Sequence, residues 1–184
     1  QYILAKYIGW GGLANVFNPK SPNWTNEYQE LQTLLTEEEY NAAMESVLNA
    51  HYTQPLVIEK IYDAVENLGF TGGNILEPSM GTGNFFGKMP ENLKEKSKLY
   101  GVELDSISGR IAQKLYPSAN VQIKGYEETG FLDNTFDLAV RNVPFGDYGI
   151  NDKKYNNRGS FLIHDYFFAK TIDQVRPGGV IDFV

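Results

Sequence analysis

The chain contains no cysteine. Disulfides, thiolate metal sites and cysteine nucleophiles are therefore excluded, and the composition suits a reducing compartment. Only two histidines occur in 184 residues, and neither His51 nor His164 has a partner at ligand spacing, so no metal site is expected. No apolar run approaches the ~20 residues that cross a bilayer, and no charged-then-apolar leader opens the chain. A cytoplasmic protein without a membrane anchor is expected. Positive charge is scarce, with 16 Lys and Arg against 23 Asp and Glu and a net charge of −7. Proteins that grip nucleic acid unaided carry a basic face, because counterion release supplies most of the affinity. If these residues handle DNA or RNA, most of the grip comes from outside them.

What is present is ordinary for a soluble globular domain: 42% hydrophobic and 21% charged residues. The length suits one domain with a small addition. Residues 1–25 are rich in Gly, Asn, Pro and aromatics without periodicity and read as an ordered arm, with Tyr7 and Trp10 as a lid or brace. Two helices follow, "NEYQELQTLL" and "TEEEYNAAMESVLNA", the second opened by Thr36 and Glu39 at capping-box spacing. The boundary is placed at 48, giving an arm with helices at 1–48 and a second domain at 49–184.

From residue 51 the pattern changes. "HYTQPLVIEKIYDAVENLGF" has Pro55 at a helix-opening position and apolar residues at Ile58, Ile61, Val65 and Leu68. After it, short apolar strands alternate with helices: strands at 74–78, 99–104, 120–125, 136–142 and from Arg176, with helices between. Such alternation predicts an α/β fold, a mostly parallel sheet with helices on both faces. Ligands in such sheets sit beyond the carboxyl ends of the strands. The chain stops on Val184 inside a predicted strand, which reads as a C-terminally truncated piece of a longer protein.

Two features carry chemistry. "EPSMGTGNFFG" follows a strand and opens a helix, and Gly81 and Gly83 permit a tight turn beside backbone amides. Twenty residues after Gly83, Glu103 ends the next strand, where a carboxylate can accept both ribose hydroxyls of a nucleoside. Nicotinamide-dinucleotide and S-adenosylmethionine (AdoMet) sites share this layout. As structure alone, it is a Gly-rich turn with a solvated Glu. Two details favour AdoMet: Glu77 would repel a pyrophosphate but suits an ammonium, and the third small residue of the dinucleotide pattern falls on Phe86. The second feature is "NVPF", Asn142 to Phe145, at the end of the fourth strand.

"NILEPSMGTGNFFG", "GVELD" and "NVPFG" together resemble the amino-methyltransferases, which methylate exocyclic amines, mostly of adenine in DNA. More narrowly, "IGWGGL", "AHYTQP", "ELDSISGRIAQKLYP", "NVPFGDY" and "FLIHDYFFAK" resemble the methylase-like region of large plasmid, phage and conjugative-element proteins that often carry a Swi/Snf-type helicase. The resemblance implies a Rossmann-like AdoMet-dependent methyltransferase fold with AdoMet as cofactor and DNA, double-stranded and gripped mostly elsewhere, as partner. It implies that Asn142 and the Val143 carbonyl accept the two amine hydrogens, that Pro144 stiffens the turn and that Phe145 stacks on an extruded base. It further implies a cofactor pocket of Tyr52, Thr53, Glu77, Pro78, Ser79, Gly81, Gly83, Asn84, Phe85, Glu103, Leu104, and Tyr126 or Glu127. Val143 replaces the family's usual first proline, which lowers the rigidity of the turn. Thr53 also reads as a helix cap.

Three other readings remain open on sequence: a non-catalytic module of a larger helicase or antirestriction protein, a methyltransferase of RNA or of protein amides, and a dinucleotide oxidoreductase. Lys153, Lys154 and Arg158 lie in a polar loop after "NVPF" and read as solvated rather than as phosphate contacts. His164–Asp165 reads as packing and capping.

Overall fold

The computed structural model of the chain describes residues 4, 7, 9–47, 53–144, 146, 148–155 and 161–184, with only the backbone of Glu45 and Ser46. His51, Tyr52, Phe145 and Arg158 lie outside the described residues.

Five strands form one parallel sheet: β1 (Asn74–Glu77), β2 (Lys98–Glu103), β3 (Asn120–Ile123), β4 (Phe136–Arg141) and β5 (Val175–Phe183), in the order β3-β2-β1-β4-β5. The chain therefore steps outward from β1 to β3, then returns to the other side of β1 for β4. Right-handed crossovers then require the helices of the two halves to lie on opposite faces. Helices α3 (Pro55–Asn67), α4 (Asn84–Lys88), α5 (Glu91–Lys94) and α6 (Ser106–Leu115) cover one face, and α7 (Ile163–Gln174) covers the other.

Each element follows from its residues. Pro55 opens α3 where its missing N–H costs nothing, and Ile58, Ile61, Tyr62 and Val65 form its buried stripe. Asp105 caps α6 by accepting the N–H groups of Ile107 and Ser108. The helix expected from Asn84 is cut short at Lys88, because Pro90 starts a separate turn of helix, α5. The last strand begins one residue earlier than expected, at Val175. A register shift between Phe136 and Leu138 lets residues 176–179 bulge out, and Gly178 adopts φ 81° there.

Two buried clusters sandwich the sheet. Ile75, Leu99, Leu138 and Val140 pack under α3 to α6, while Leu76, Val102, Ala139 and Val143 pack under α7. The arm has its own cluster, with Val16, Phe17 and Ala43 buried beneath α1 (Thr25–Leu34) and α2 (Glu37–Ser46). Trp10 meets Phe17 edge-on at 5.5 Å and Phe17 meets Tyr40 at 5.3 Å, so Trp10 braces the arm itself. Thr36 and Glu39 form the expected capping box. An ion pair from Glu39 to Arg110 of α6 ties the arm to the sheet domain.

Candidate active site

The strand order reverses between β1 and β4, and crevices at such switch points hold ligands in α/β sheets. A cavity of about 530 Å³ opens there, within the ~300–1,000 Å³ range of small-ligand sites. Its wall is built from the tip of β1 with the glycine turn (Glu77, Pro78, Ser79, Gly81), the start of α4 (Asn84, Phe85), the tip of β2 (Glu103, Leu104) and the turn after β3 (Tyr126, Glu127). Thr53, Asn142 and Pro144 complete it, with Phe167 of α7 and with Gly9 and Ala42 of the arm. Thirteen sequence-expected site residues thus meet at one cavity.

Both glycines of the turn take positive φ, and they do different things. Gly81 (φ 56°) donates its N–H to Glu103 Oε2 at 2.7 Å, and Glu103 Oε1 accepts the Asp105 N–H at 2.8 Å. Gly83 (φ 83°) does not line the cavity. Tyr116 donates its hydroxyl to the Gly83 carbonyl at 2.7 Å, and a Cβ on Gly83 would lie 2.5 Å from the Tyr116 ring. Only glycine combines that backbone angle with that approach.

Burial dominates the electrostatics. Glu77 is 2% exposed, and loss of solvent pushes its carboxyl well above the ordinary range, against the pull of the Phe85 and Phe86 backbone N–H groups and the Arg141 charge. Among the described residues, its Oε2 has no hydrogen-bond partner. Desolvation also raises Glu103, opposed by the N–H groups of Asp105 and Gly81. Among the described residues, Thr53 Oγ1 is likewise buried without a partner, and α3 is preceded by Gln54 with no side-chain cap bond. Thr53 therefore does not cap α3, and its hydroxyl stays available at the cavity wall.

Tyr126 and Glu127 both line the cavity, in different states. Tyr126 is buried; its hydroxyl donates to Gln174 Oε1 at 2.5 Å and its ring stacks on Phe167 at 4.9 Å. It offers a fixed flat wall. The Glu127 carboxylate folds back against Gly125, where a Cβ would meet it. At the tip of β4, Asn142 and Pro144 reach the cavity, while the Val143 side chain is buried in the core beneath α7 and its N–H donates to the Val184 carbonyl at 3.2 Å.

Sequence reasoning missed Arg141. It is 0% exposed, in the strand residue directly before Asn142. Burial lowers its pKa to about 9, with Tyr126, Glu103 and Glu77 opposing that loss. The one signal was a cation at the end of "FDLAVR", where an apolar residue would complete the strand. The polar loop after β4 is anchored rather than free: Tyr166 and Lys170 of α7 donate to Asp152 Oδ2 at 2.6 and 3.1 Å, and Lys154 pairs with Asp133 at 2.6 Å. Lys154 is therefore ion-paired with Asp133 and Asp173 rather than merely solvated as expected. His164 lies 3.6 Å from Asp165 and neither caps α7, which follows Leu162. Among the described residues, no three His, Asp or Glu side chains cluster to hold a metal, and no helix is long and apolar enough to cross a membrane.

Comparison with known proteins extends this geometry. The chain is 34% identical over 137 residues to the Defense against restriction protein B of Escherichia phage P1, covering 72% of this chain and 6% of that protein. It is 29% identical over 138 residues to the Modification methylase CviBIII of Paramecium bursaria Chlorella virus NC1A, covering 72% of this chain and 36% of that protein. The chain thus spans only a minor part of either relative. Its fold matches the type I restriction-modification system methyltransferase subunit of Streptococcus thermophilus with TM-score 0.55 and 12% identity, over 86% of this chain and 41% of that one. No protein-family model matches the chain. The architecture is the Rossmann-like methyltransferase fold.

Proposed function

We propose that this chain is the catalytic part of an AdoMet-dependent methyltransferase acting on the exocyclic amine of adenine in DNA, with residues 1–48 as an arm and 49–184 as the catalytic domain. One observation carries the reading: Asn142 and Pro144 at the tip of β4 open onto the same cavity as Glu77, Gly81 and Glu103. The likeness to a modification methylase and to a defense-against-restriction protein supports it.

The residues present suit AdoMet. Glu77 Oε2 and Thr53 Oγ1 are buried polar atoms awaiting partners in the cavity wall, and a carboxylate oxygen there suits a cationic ammonium. Each Glu103 oxygen carries one N–H bond, which leaves lone pairs for ribose hydroxyls. Phe85, Leu104 and Tyr126 supply apolar surface for an adenine ring. The bound cofactor would supply an electrophilic methyl group.

The remaining work falls to the turn after β4. An aromatic amine is a weak nucleophile because its lone pair is delocalised into the ring. The Asn142 side-chain oxygen and the Val143 carbonyl accept its two hydrogens, so that the nitrogen pyramidalises toward the methyl group. Phe145 stacks on the extruded base, worth ~1–3 kcal/mol by analogy with single-strand binding. Orientation carries the rate, and because the surplus amine proton would leave to solvent only after the methyl group has moved, no strong base is required. With a net charge of −7, DNA is held mostly by other parts of a longer protein.

Calorimetry with AdoMet tests the cofactor half. Saturable binding is expected; a folded sample that takes up no AdoMet contradicts the reading. A second reading, a non-catalytic module of an antirestriction protein, is favoured by the likeness to the phage P1 protein. It requires DNA from expressing cells to remain fully sensitive to methylation-blocked nucleases.

A further inference from the structure

We propose that Arg141 is a positioning residue: its guanidinium holds the peptide that joins Asn142 to Val143, and the chain retains it at a cost in stability. This rests on the methyl-transfer reading for what the turn does, but not for how the turn is held.

The 142–143 peptide is pinned from both sides. Arg141 Nε donates to the Asn142 carbonyl at 2.9 Å, and the Val143 N–H donates to the Val184 carbonyl at 3.2 Å. Because a peptide unit is planar, fixing both polar groups fixes the plane. That plane sets the direction from which the Asn142 side chain leaves the backbone and the direction in which the next residue starts. A proline at 143 would have no N–H to give Val184, so this turn obtains its rigidity from hydrogen bonds.

The anchor is itself rigid. The guanidinium carbon lies 4.0 Å from the Phe167 ring centroid, a cation–π contact in a desolvated setting. Phe167 stacks on Tyr126, whose hydroxyl is tied to Gln174 and Thr171 of the same helix. The tip of β4 is thereby referenced to α7 and to the cavity wall together.

The cost is visible in the same side chain. Among the described residues, Nη1 and Nη2 are buried without a hydrogen-bond partner and no carboxylate lies within ion-pair distance of the guanidinium. Loss of solvent around a cation without a direct ion pair is unfavourable, and the more distant Glu103 and Glu77 only partly offset it. A residue needed only for folding would not be a partly satisfied arginine. Stability and positioning are therefore expected to move in opposite directions when it is replaced.

The test compares wild type with Arg141→Met, which keeps the length and the ring contact, and Arg141→Lys, which keeps the charge but loses the planar fork. Three properties are measured: thermal midpoint, amide hydrogen exchange at Val143 and Val184, and AdoMet affinity beside methyl-transfer rate. For Arg141→Met we expect a midpoint at or above wild type and exchange at Val143 faster by at least about 10-fold, with Leu138 to Val140 unchanged. We expect AdoMet affinity within about threefold and kcat lower by about 10²-fold, the scale of a small misplacement. Arg141→Lys should share the loss of protection and rate. A midpoint several degrees below wild type, with Val143 protection intact, overturns the proposal and makes Arg141 a structural residue. If wild type transfers no methyl group to any nucleic acid, the methyl-transfer reading fails, while exchange and midpoint still decide the role of Arg141.

Discussion

Glu103 and Gly81 are joined by a 2.7 Å hydrogen bond from the glycine N–H to the carboxylate, so the acid at the tip of β2 clamps the turn that follows β1. One carboxylate both shapes the turn and retains lone pairs toward the cavity. Glu103→Gln keeps one acceptor but turns the other arm into a donor facing an N–H. We expect AdoMet affinity to fall at least about 10-fold. Urea unfolding should show a loss of about 1–3 kcal/mol, the range for leaving a buried N–H without its acceptor.

Glu77 gives a pH signature. Burial raises its folded carboxyl above its unfolded value, so its favourable contribution is full below the ordinary carboxylate range and is lost as pH rises through the folded value. Without ligand, stability should therefore decline as pH climbs above that range, with Glu103 adding a slope of the same sign. Glu77→Gln should flatten the decline and raise the melting midpoint at neutral pH, by about 2–4 °C for each kcal/mol recovered. The same variant should bind AdoMet more weakly, because the negative charge facing the ammonium is gone and one acceptor oxygen has become a donor. Melting curves across pH, with and without AdoMet, check both.

Tyr126 separates a wall from a polar contact. Its hydroxyl is engaged with Gln174 and Thr171 inside the protein, so it has little to offer a ligand, while the ring remains in the cavity wall. Tyr126→Phe should destabilise the fold by about 1–3 kcal/mol, through the lost donor to Gln174, and change AdoMet affinity less than threefold. Denaturant titration beside calorimetry distinguishes the two effects.

Gly83 tests the turn as structure. A methyl group there meets the Tyr116 ring and demands φ near +83° from an alanine. Gly83→Ala should lower stability by about 1–3 kcal/mol and weaken AdoMet binding through displacement of α4, measured by the same two methods.

How much of this was written in the sequence depends on how local the physics is. The capping box of Thr36 and Glu39, Pro55 at the head of α3 and the left-handed turns at Gly81 and Gly83 are decided within a few residues, and all were legible. The strand–helix alternation, with right-handed crossovers, was enough to imply a parallel sheet. What could not be read depended on distant partners. Arg141 looks like the polar end of a strand until Phe167, 26 residues later, is folded across it. Thr53 reads on sequence both as a cap and as a pocket residue, and only the fold separates the two, with its hydroxyl in the cavity wall and no partner among the described residues. The loop after β4 looks solvated because Asp152, Tyr166 and Lys170 meet only once α7 packs on the sheet.

The central claim is methyl transfer to adenine by the turn at Asn142, and isotope tracing tests it most directly. Double-stranded DNA is incubated with the protein and AdoMet carrying a labelled methyl group, then digested to nucleosides for mass spectrometry. The label is expected on the exocyclic nitrogen of adenine. Asn142→Ala should reduce it by at least about 10²-fold with AdoMet affinity nearly unchanged. Protein that binds AdoMet but leaves every nucleoside unlabelled, or an Asn142→Ala variant that transfers as well as wild type, would contradict the account.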